Sequence, residues 1–339
     1  MAQYLLPPKQ SQESNARIER GTRMKRVVLG NTGIEVTEMC FGTLTVSWLQ
    51  AGVSPSEAGD VIAQALDLGV DFIDTGQAYR TYEHVAAAVK GRSIKPVIAT
   101  KSHAHTAEDM KSAVEEALDA MGLDHIDIFL LHLIRSEEDF RERREALDCL
   151  LEFKRKGLIR SIGLSSHTLE GLRPALENPE IEIVLPCVNR KGLGVNDGTL
   201  EEMLALLREL KALGKGVYAM KPLGGGHLFD DAADSLNYVR SLDCVDSIAV
   251  GMKTVAEVEV NACIFEDKPI PAELLEKARQ VSKKLIIYPH ICKGCGACIE
   301  NCAQDALSLV DEKSTVDESK CILCGYCAEE CPVFCIRVI

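Results

Sequence analysis

The stretch Val70-Asp71-Phe72-Ile73-Asp74-Thr75-Gly76-Gln77-Ala78-Tyr79 decides how the rest of the chain is read. It is a short apolar run that ends in an acid, Asp74, followed after a turn-permitting glycine by a phenol, Tyr79. An acid after an apolar run is also a common helix N-cap, so the pair gains meaning only if other runs end in kind. They do. Apolar strand-like runs occupy 38–42, 70–74, 96–101, 126–132, 159–165, 183–189, 216–221 and 247–251, about thirty residues apart. Amphipathic stretches at 55–68, 106–121, 138–156 and 200–213 lie between them, with Gly122, Gly157 and Gly214 as stop signals. Ser54-Pro55-Ser56-Glu57 opens the first with a capping box and a proline at the first helical position. Eight strand-helix units in about 240 residues predict a (β/α)8 TIM barrel of the α/β class rather than an open doubly wound sheet. No G-x-G-x-x-G follows the first run, which argues further against a Rossmann fold.

In such a barrel the chemistry sits at the carboxyl ends of the strands. The second run ends in Asp74 with Tyr79 beyond it, the third in Lys101 and the fourth in His132, so four ionisable side chains converge on one rim. A lone lysine or histidine there would most simply be solvated or structural; three adjacent strands delivering this set is a rarer arrangement. It suits carbonyl reduction, in which hydride reaching carbon leaves an alkoxide on oxygen that needs a proton and a positive environment. Tyr79 would be the acid, Lys101 the cation that lowers its pKa, Asp74 the partner that holds Lys101, and His132 the group that orients the carbonyl.

Composition narrows the classes further. The chain has 339 residues, 46% of them apolar, and a formal net charge of -13. Neither an acidic balance nor the absence of a dense Lys/Arg run suits nucleic acid. No apolar run approaches membrane-spanning length, and no signal-peptide core stands in residues 1–23, which read as a flexible arm and point to a cytoplasmic protein. A hairpin, 26–29 with 34–36 across the turn Gly30-Asn31-Thr32-Gly33, precedes the first barrel run, and a helical segment covers 271–287. The organisation expected is an arm (1–23), a barrel (24–287) and a small α+β cysteine-rich domain (288–339).

Of fourteen cysteines, eight fall in two regular runs: Cys292-x2-Cys295-x2-Cys298-x3-Cys302 and Cys321-x2-Cys324-x2-Cys327-x3-Cys331-Pro332. That spacing is the one bacterial ferredoxins use for iron-sulfur clusters, whereas a zinc site needs four ligands only. Cys335 is spare and, like Cys40, Cys149, Cys187, Cys244 and Cys263, reads as a buried small hydrophobe. Leu307-Ser308-Leu309 and Thr315-Val316 form a hairpin between the runs.

With these residues in view, 24–262 resembles the aldo-keto reductase family. The matching stretches are Leu29-Gly30-Asn31-Thr32-Gly33, Phe41-Gly42-Thr43, Phe72-Ile73-Asp74-Thr75 with Tyr79 and Glu83, Ala99-Thr100-Lys101, Leu131-His132, Gly163-Leu164-Ser165, Lys221-Pro222-Leu223-Gly224 and Asn261. The resemblance implies NADPH or NADH extended across the rim and reduction of an aldehyde or ketone, or the reverse alcohol oxidation. Its cofactor contacts would be Ser165, Ser166, Asn189, Lys221, Leu223, Gly224, Gly225, Lys253 and Asn261. Four positions depart from the family pattern: Arg80 for Gly, Ser166 for Asn, Leu185 for Gln and Lys253 for Arg. Trp48 could wall the substrate, and Arg135 and Arg190 could meet a carboxylate. Residues 288–339 resemble a two-cluster bacterial-type ferredoxin, which implies Cys292, Cys295, Cys298 and Cys331 on one 4Fe-4S cluster and Cys321, Cys324, Cys327 and Cys302 on the other.

The fusion poses an accounting problem, since nicotinamide moves two electrons together and each cluster one, and no flavin signature supplies a converter. The leading expectation is an NAD(P)H-dependent carbonyl reductase of a low-oxygen cytoplasm, whose clusters are structural or exchange electrons with a redox protein. Two alternatives are an electron-transfer or redox-sensing protein with a non-catalytic barrel, and a cluster-fed reductase of a conjugated or quinone-like carbonyl.

Overall fold

In the computed structural model the described residues are 24–93, 95–279, 284–302, 304–321 and 326–338. The expected arm, 1–23, lies outside them. Strands β1 (Arg26–Val28) and β2 (Glu35–Thr37) form the antiparallel hairpin. Eight strands then close into a parallel barrel: β3 (Met39–Gly42), β4 (Phe72–Asp74), β5 (Val97–Ser102), β6 (Ile126–Leu131), β7 (Ile159–Ser166), β8 (Ile183–Pro186), β9 (Gly216–Met220) and β10 (Ser247–Gly251). Closure is made by β10 pairing with β3, Ile248 opposite Met39 through Gly251 opposite Gly42.

Period-2 alternation divides each strand between two cores. Cys40, Phe72, Ala99, Ile128, Leu130, Ile183, Leu185 and Tyr218 fill the barrel interior, where they join Leu29, Ile34 and Val36 of the hairpin. The hairpin therefore plugs the amino-terminal end. The opposite side chains pack outward beneath the helices, as Phe41, Ile73, Ile98, Phe129 and Leu131 do.

Helix starts follow the sequence signals. Helix Pro55–Asp67 carries the Ser54/Glu57 capping box, and Leu200–Ala212 and Val255–Phe265 carry equivalents at Thr199/Glu202 and Thr254/Glu257. Helix Ala107–Met121 stops at Gly122, which takes the left-handed φ of 62° that a side chain would resist. The stretch 138–156 differs from expectation. It is two helices, Glu137–Glu142 and Arg144–Arg155, broken at Arg143. Buried Arg143 donates to Asp139 Oδ1 at 2.8 Å and to the His132 carbonyl at 2.9 Å, and that tether to the end of β6 holds the bend.

The carboxyl-terminal segment is also organised differently. The last barrel-side helix is Ala272–Arg279, and 285–287 is a strand, β11 (Leu285–Ile287), rather than helix. Its partner is β14 (Ile336–Val338), with Ile286 opposite Arg337. Between them lies the hairpin β12 (Leu307–Val310) and β13 (Lys313–Val316). Asp311 and Glu312 both have positive φ, 49° and 59°, as the tight two-residue hairpin turn requires. Apolar residues of this segment, Tyr288, Leu307, Ile336 and the cysteines, form a third core against which Leu49 of the barrel packs.

Close approach of β7 to β8 depends on Gly163. A Cβ there would stand 2.1 Å from the Ile183 carbonyl oxygen and 2.7 Å from Leu130 Cδ2. Gly163→Ala should therefore lower unfolding free energy by about 1–3 kcal/mol, the range of overpacking in a core. A chemical-denaturation midpoint equal to wild type would contradict this.

Candidate active site and cysteine centre

At the carboxyl-end rim the structure brings Asp74, Tyr79, Lys101 and His132 together. Lys101 is 1% exposed and donates to Asp74 Oδ1 and Oδ2 at 2.7 and 2.6 Å and to the Thr75 carbonyl at 2.7 Å. Burial is the largest influence and works against its charge, but Asp74, Tyr79 and Cys40 together outweigh it, and the ammonium pKa is raised above 10.5. Tyr79 sits in a single 3-10 turn, Gln77–Tyr79, with its ring centroid 4.9 Å from Lys101 Nζ and 5.6 Å from the His132 ring, edge to face. Arg80 closes that turn in the left-handed region, φ 54°, where the family pattern has glycine.

Lys101 does pull the Tyr79 pKa down, but burial pushes it up by more and Asp74 adds to the rise. The net direction is therefore above 10, opposite to the lowered phenol expected from sequence, and Tyr79 holds its proton at neutral pH. His132 is kept neutral, its pKa well below 6.5 chiefly through burial and then through the neighbouring His103 and Lys101.

Three contributors were not singled out from sequence. Tyr218 of β9 donates to Asp74 Oδ1 at 3.0 Å from across the barrel. Its inward position in the seventh run was the available signal. His103 stacks on His132 with centroids 4.1 Å apart; its nearness to Lys101 in sequence was a hint. Thr43, Thr81 and Thr75 form a buried hydroxyl relay, 2.9 and 2.8 Å, behind the Lys101 anchor.

The expected cofactor residues are more scattered. Ser165 Oγ accepts from Leu133 N at 2.8 Å, and Ser166 Oγ donates to the Ile134 carbonyl at 2.7 Å, so both brace the loop after β6. Asn189 is spent on its own loop: Nδ2 donates to the Leu193 and Lys221 carbonyls, and Oδ1 accepts from Leu193 N. Leu185 is buried and apolar. Lys253 lies two residues past β10, partly buried, and Asn261 is buried on the helix that follows.

Lys221, Leu223, Gly224 and Gly225 follow β9 as expected, but the surface they offer is covered. Phe334, from the cysteine-rich segment, lies over it. Its ring is 5.7 Å from Lys221 Nζ and within 6.2 Å of the His167 and His227 rings, centre to centre. A Cβ on Gly194 would meet that ring at 2.2 Å, and one on Gly225 at 3.4 Å. Two glycines thus cradle a phenyl ring from the same chain, which covers part of the loop that the family pattern gives to the cofactor.

Of the other candidates, Arg190 is paired with Asp231. Trp48 is 56% exposed, donates to the Ala78 carbonyl at 3.1 Å and stacks with Arg80. It stands beside the Tyr79 turn rather than in the core.

Next to the rim, Cys292, Cys295, Cys298 and Cys331 line one cavity with Gly296, Ser314 and Cys335. Cys331 comes from the second run and joins three residues of the first. Backbone N–H groups point at the sulfurs: Gly294 and Ser314 at Cys292, both 3.4 Å, and Cys335 at Cys331, 3.3 Å. Among the described residues no three of these sulfurs lie within 4.8 Å of one another. Thiolates around one zinc stand about 3.8 Å apart, so the donor set fits a larger cluster. Cys335 differs from its reading as packing alone, because its Sγ is 3.4 Å from Cys331 Sγ and it shares the cavity. Of the other four, Cys302 accepts from Ala306 N at 3.4 Å and Cys327 is buried. Cys321 is partly exposed, and Cys324 lies outside the described residues.

A parallel barrel with a buried acid, lysine and phenol and a half-buried imidazole on its carboxyl rim, joined to a cysteine cavity, defines an oxidoreductase. The sequence model described as the aldo/keto reductase family matches residues 38–262, and a 4Fe-4S dicluster domain matches 284–332. The chain belongs to the aldo/keto reductase family, with the cluster domain fused after the barrel. It is 25% identical to L-galactose dehydrogenase of Arabidopsis thaliana, across 71% of this chain and 88% of that one. With the methylglyoxal reductase DkgA of Escherichia coli it shares 27%, across 50% and 64%. A crystal structure of a putative aldo-keto reductase from Pseudomonas aeruginosa superposes with a TM-score of 0.61 at 26% identity, covering 71% of this chain and 95% of that one. No helix of the described residues is long and apolar enough to cross a membrane.

The neutral histidines give the site a pH signature. Burial lowers His132 and also His167, the latter to about 3. Such residues take up protons only in the unfolded chain, so the stability is complete above pH about 6.5 and is lost as pH falls below it. The urea midpoint should be lower at pH about 5.5 than at about 7.5, and His167→Gln should narrow the difference. An unchanged difference in that variant would refute the assignment.

Proposed function

We propose that the chain interconverts an aldehyde or ketone with the corresponding alcohol at the rim, with Tyr79 handling the proton. The observation that carries this reading is the buried line from Asp74 through Lys101 to Tyr79. Asp74 fixes the ammonium, the ammonium lies against the phenol, and the phenol is protonated at neutral pH, which is the form a proton donor needs. When the carbonyl is reduced, the proton passes from the Tyr79 hydroxyl to the carbonyl oxygen, and Lys101 stabilises the phenolate left behind. His132, neutral and beside Tyr79, would orient the same oxygen.

Two electron sources are supported by different observations. Family membership supports NADPH or NADH, which when bound supplies hydride, with Lys253 and the loop after β9 as the residues toward it. The placement of Phe334 on that loop, beside the cysteine cavity, favours the clusters instead. In that second reading electrons arrive singly from a redox protein through two 4Fe-4S clusters held by Cys292, Cys295, Cys298 and Cys331, and by Cys302, Cys321, Cys324 and Cys327. Thiolate-held clusters suit a low-oxygen cytoplasm.

Anaerobically prepared protein should contain about eight iron atoms per chain, two four-iron clusters. Tyr79→Phe should reduce turnover of carbonyl substrates at least about a hundredfold with iron content unchanged; full activity in that variant would sink the reading. Parallel assays with NADPH, NADH and dithionite-reduced ferredoxin separate the two electron sources, since only the competent donor sustains turnover. Phe334→Ala should raise NADPH-supported activity if the ring obstructs the cofactor, and should leave it unchanged if the clusters feed the site.

A further inference from the structure

Tyr79 stands in a turn that does not hold itself. The turn is three residues, Gln77–Tyr79, closed by bonds from Tyr79 N to the Gly76 carbonyl at 2.9 Å and from Arg80 N to the Gln77 carbonyl at 3.1 Å. A single 3-10 turn of this kind is weak, and its last carbonyls have no partner within it. Arg80, which ends it, takes a left-handed φ of 54°, which a residue with a side chain adopts when its surroundings fix it there. Whatever grips this turn from outside therefore fixes the phenol.

The grip comes from the segment that follows β3. Trp48 Nε1 donates to the Ala78 carbonyl at 3.1 Å, one residue before Tyr79, and the Trp48 ring carries the Arg80 guanidinium 5.0 Å from its centroid, one residue after. Thr43 Oγ1 lies 2.9 Å from Thr81 Oγ1. The segment is also tied to itself. Buried Ser47 Oγ donates to the Leu44 carbonyl at 2.6 Å and accepts from Leu49 N at 3.2 Å, and the Ser47 carbonyl accepts from Gln50 N and Gly52 N. Trp48 is nonetheless 56% exposed, so burial does not hold its ring. Its neighbour Leu49 is packed, and not in the barrel. It lies against the core of Tyr288, Leu307, Ile336 and the cysteines, whose other members among the described residues all fall between 285 and 336. Two consecutive side chains thus join the cysteine-rich segment to the residues on either side of the proton donor.

We propose that Trp48 is a positioning residue for Tyr79, seated by Leu49 on the cysteine core, so that the iron-sulfur segment sets where the barrel's proton donor stands. This deepens the reading of Tyr79 given above and rests on it. Trp48 acts through the backbone of the turn and through Arg80. A proton donor slightly out of place loses rate rather than affinity, so the effect belongs in kcat. The fusion then has a mechanical role apart from electron flow, whichever donor feeds the site.

The test reads each link separately in cluster-loaded protein. Tyr79 is replaced by 3-fluorotyrosine, whose fluorine resonance needs no turnover and reports where the ring stands. Trp48→Phe keeps an aromatic face for Arg80 but has no N–H. It should move that resonance and lower kcat for methylglyoxal at least about threefold with KM unchanged. Leu49→Ala should do the same and also lower the fluorescence polarisation of Trp48, the chain's only tryptophan. Leu49→Met, of similar volume, should restore all three readings. Leu213→Ala, which trims an exposed leucine elsewhere on the barrel, is the control and should match wild type. An unmoved resonance in Trp48→Phe overturns the proposal, as does a raised KM with kcat kept, which makes Trp48 a wall of the substrate pocket. Wild-type polarisation in Leu49→Ala severs Trp48 from the cysteine core and overturns it too. If Leu49→Ala does not take up iron, the smaller truncation Leu49→Val carries the same test. If Tyr79→Phe retains full turnover, the reading of Tyr79 fails, while the fluorine resonance still decides whether Trp48 places the ring.

Discussion

The ion pair of Lys101 with Asp74 is the constraint around which the barrel rim is arranged. Both groups are taken almost wholly from water, and removing one partner of such a pair typically costs about 3–5 kcal/mol because the other charge is left buried alone. The protein meets that cost with a full set of bonds. Lys101 spends its three donors on two carboxylate oxygens and the Thr75 carbonyl, and Asp74 receives a further bond from Tyr218. The turn that carries Tyr79 begins at the Thr75 end of this arrangement. Lys101 is therefore a scaffold for the phenol's position as much as an influence on its acidity, and since burial outweighs the lysine's charge at Tyr79, position is the larger part of what it contributes.

A second constraint is how the cysteine-rich segment meets the barrel. Its contact is made by Phe334 on two glycines, by β14 on the loop after β9, and by Leu49 on the apolar side of the cysteine core. Phe334 is three residues past Cys331, and Arg337 six past it. A short run of chain thus supplies a cavity-lining thiol, the ring that covers the rim loop, and a buried guanidinium stacked on Tyr288. Anything that fixes the cysteine cavity, including a bound cluster, also fixes these two side chains over the barrel.

Much of this was legible in the sequence. The eight runs, the capping box at Ser54, the hairpin across Asp311 and Glu312, and the convergence of Asp74, Tyr79, Lys101 and His132 depend on local periodicity and on the rule that strand ends share a rim. The break at Arg143 was not legible, because it depends on a bond to the His132 carbonyl that no local pattern announces. Nor was Tyr218, which meets Asp74 only after the barrel has closed. The cofactor set shows the limit most clearly. The polar atoms of Ser165, Ser166 and Asn189, expected to meet the cofactor, brace loops of this chain, and Phe334 lies on Gly225. A residue 109 positions away in the chain covers the loop, and pattern matching within the barrel contains no term for it.

The same contact bears on the mismatch between two-electron and one-electron chemistry. A barrel that takes hydride needs an open seat for a nicotinamide beside its proton donor and receives its electrons as a pair, whereas a cluster passes them one at a time. Here the loop after β9 is covered by Phe334 of the segment that bears the cysteine cavity, and the phenol stays protonated through burial. A buried proton donor in a chain that also holds one-electron centres would let each added electron be matched by a proton, avoiding an uncompensated charge in a low-dielectric pocket. On the cluster-fed reading proton delivery at Tyr79 would be coupled to the arrival of electrons, and Phe334, on the loop after β9, is the side chain whose position separates that reading from the hydride one.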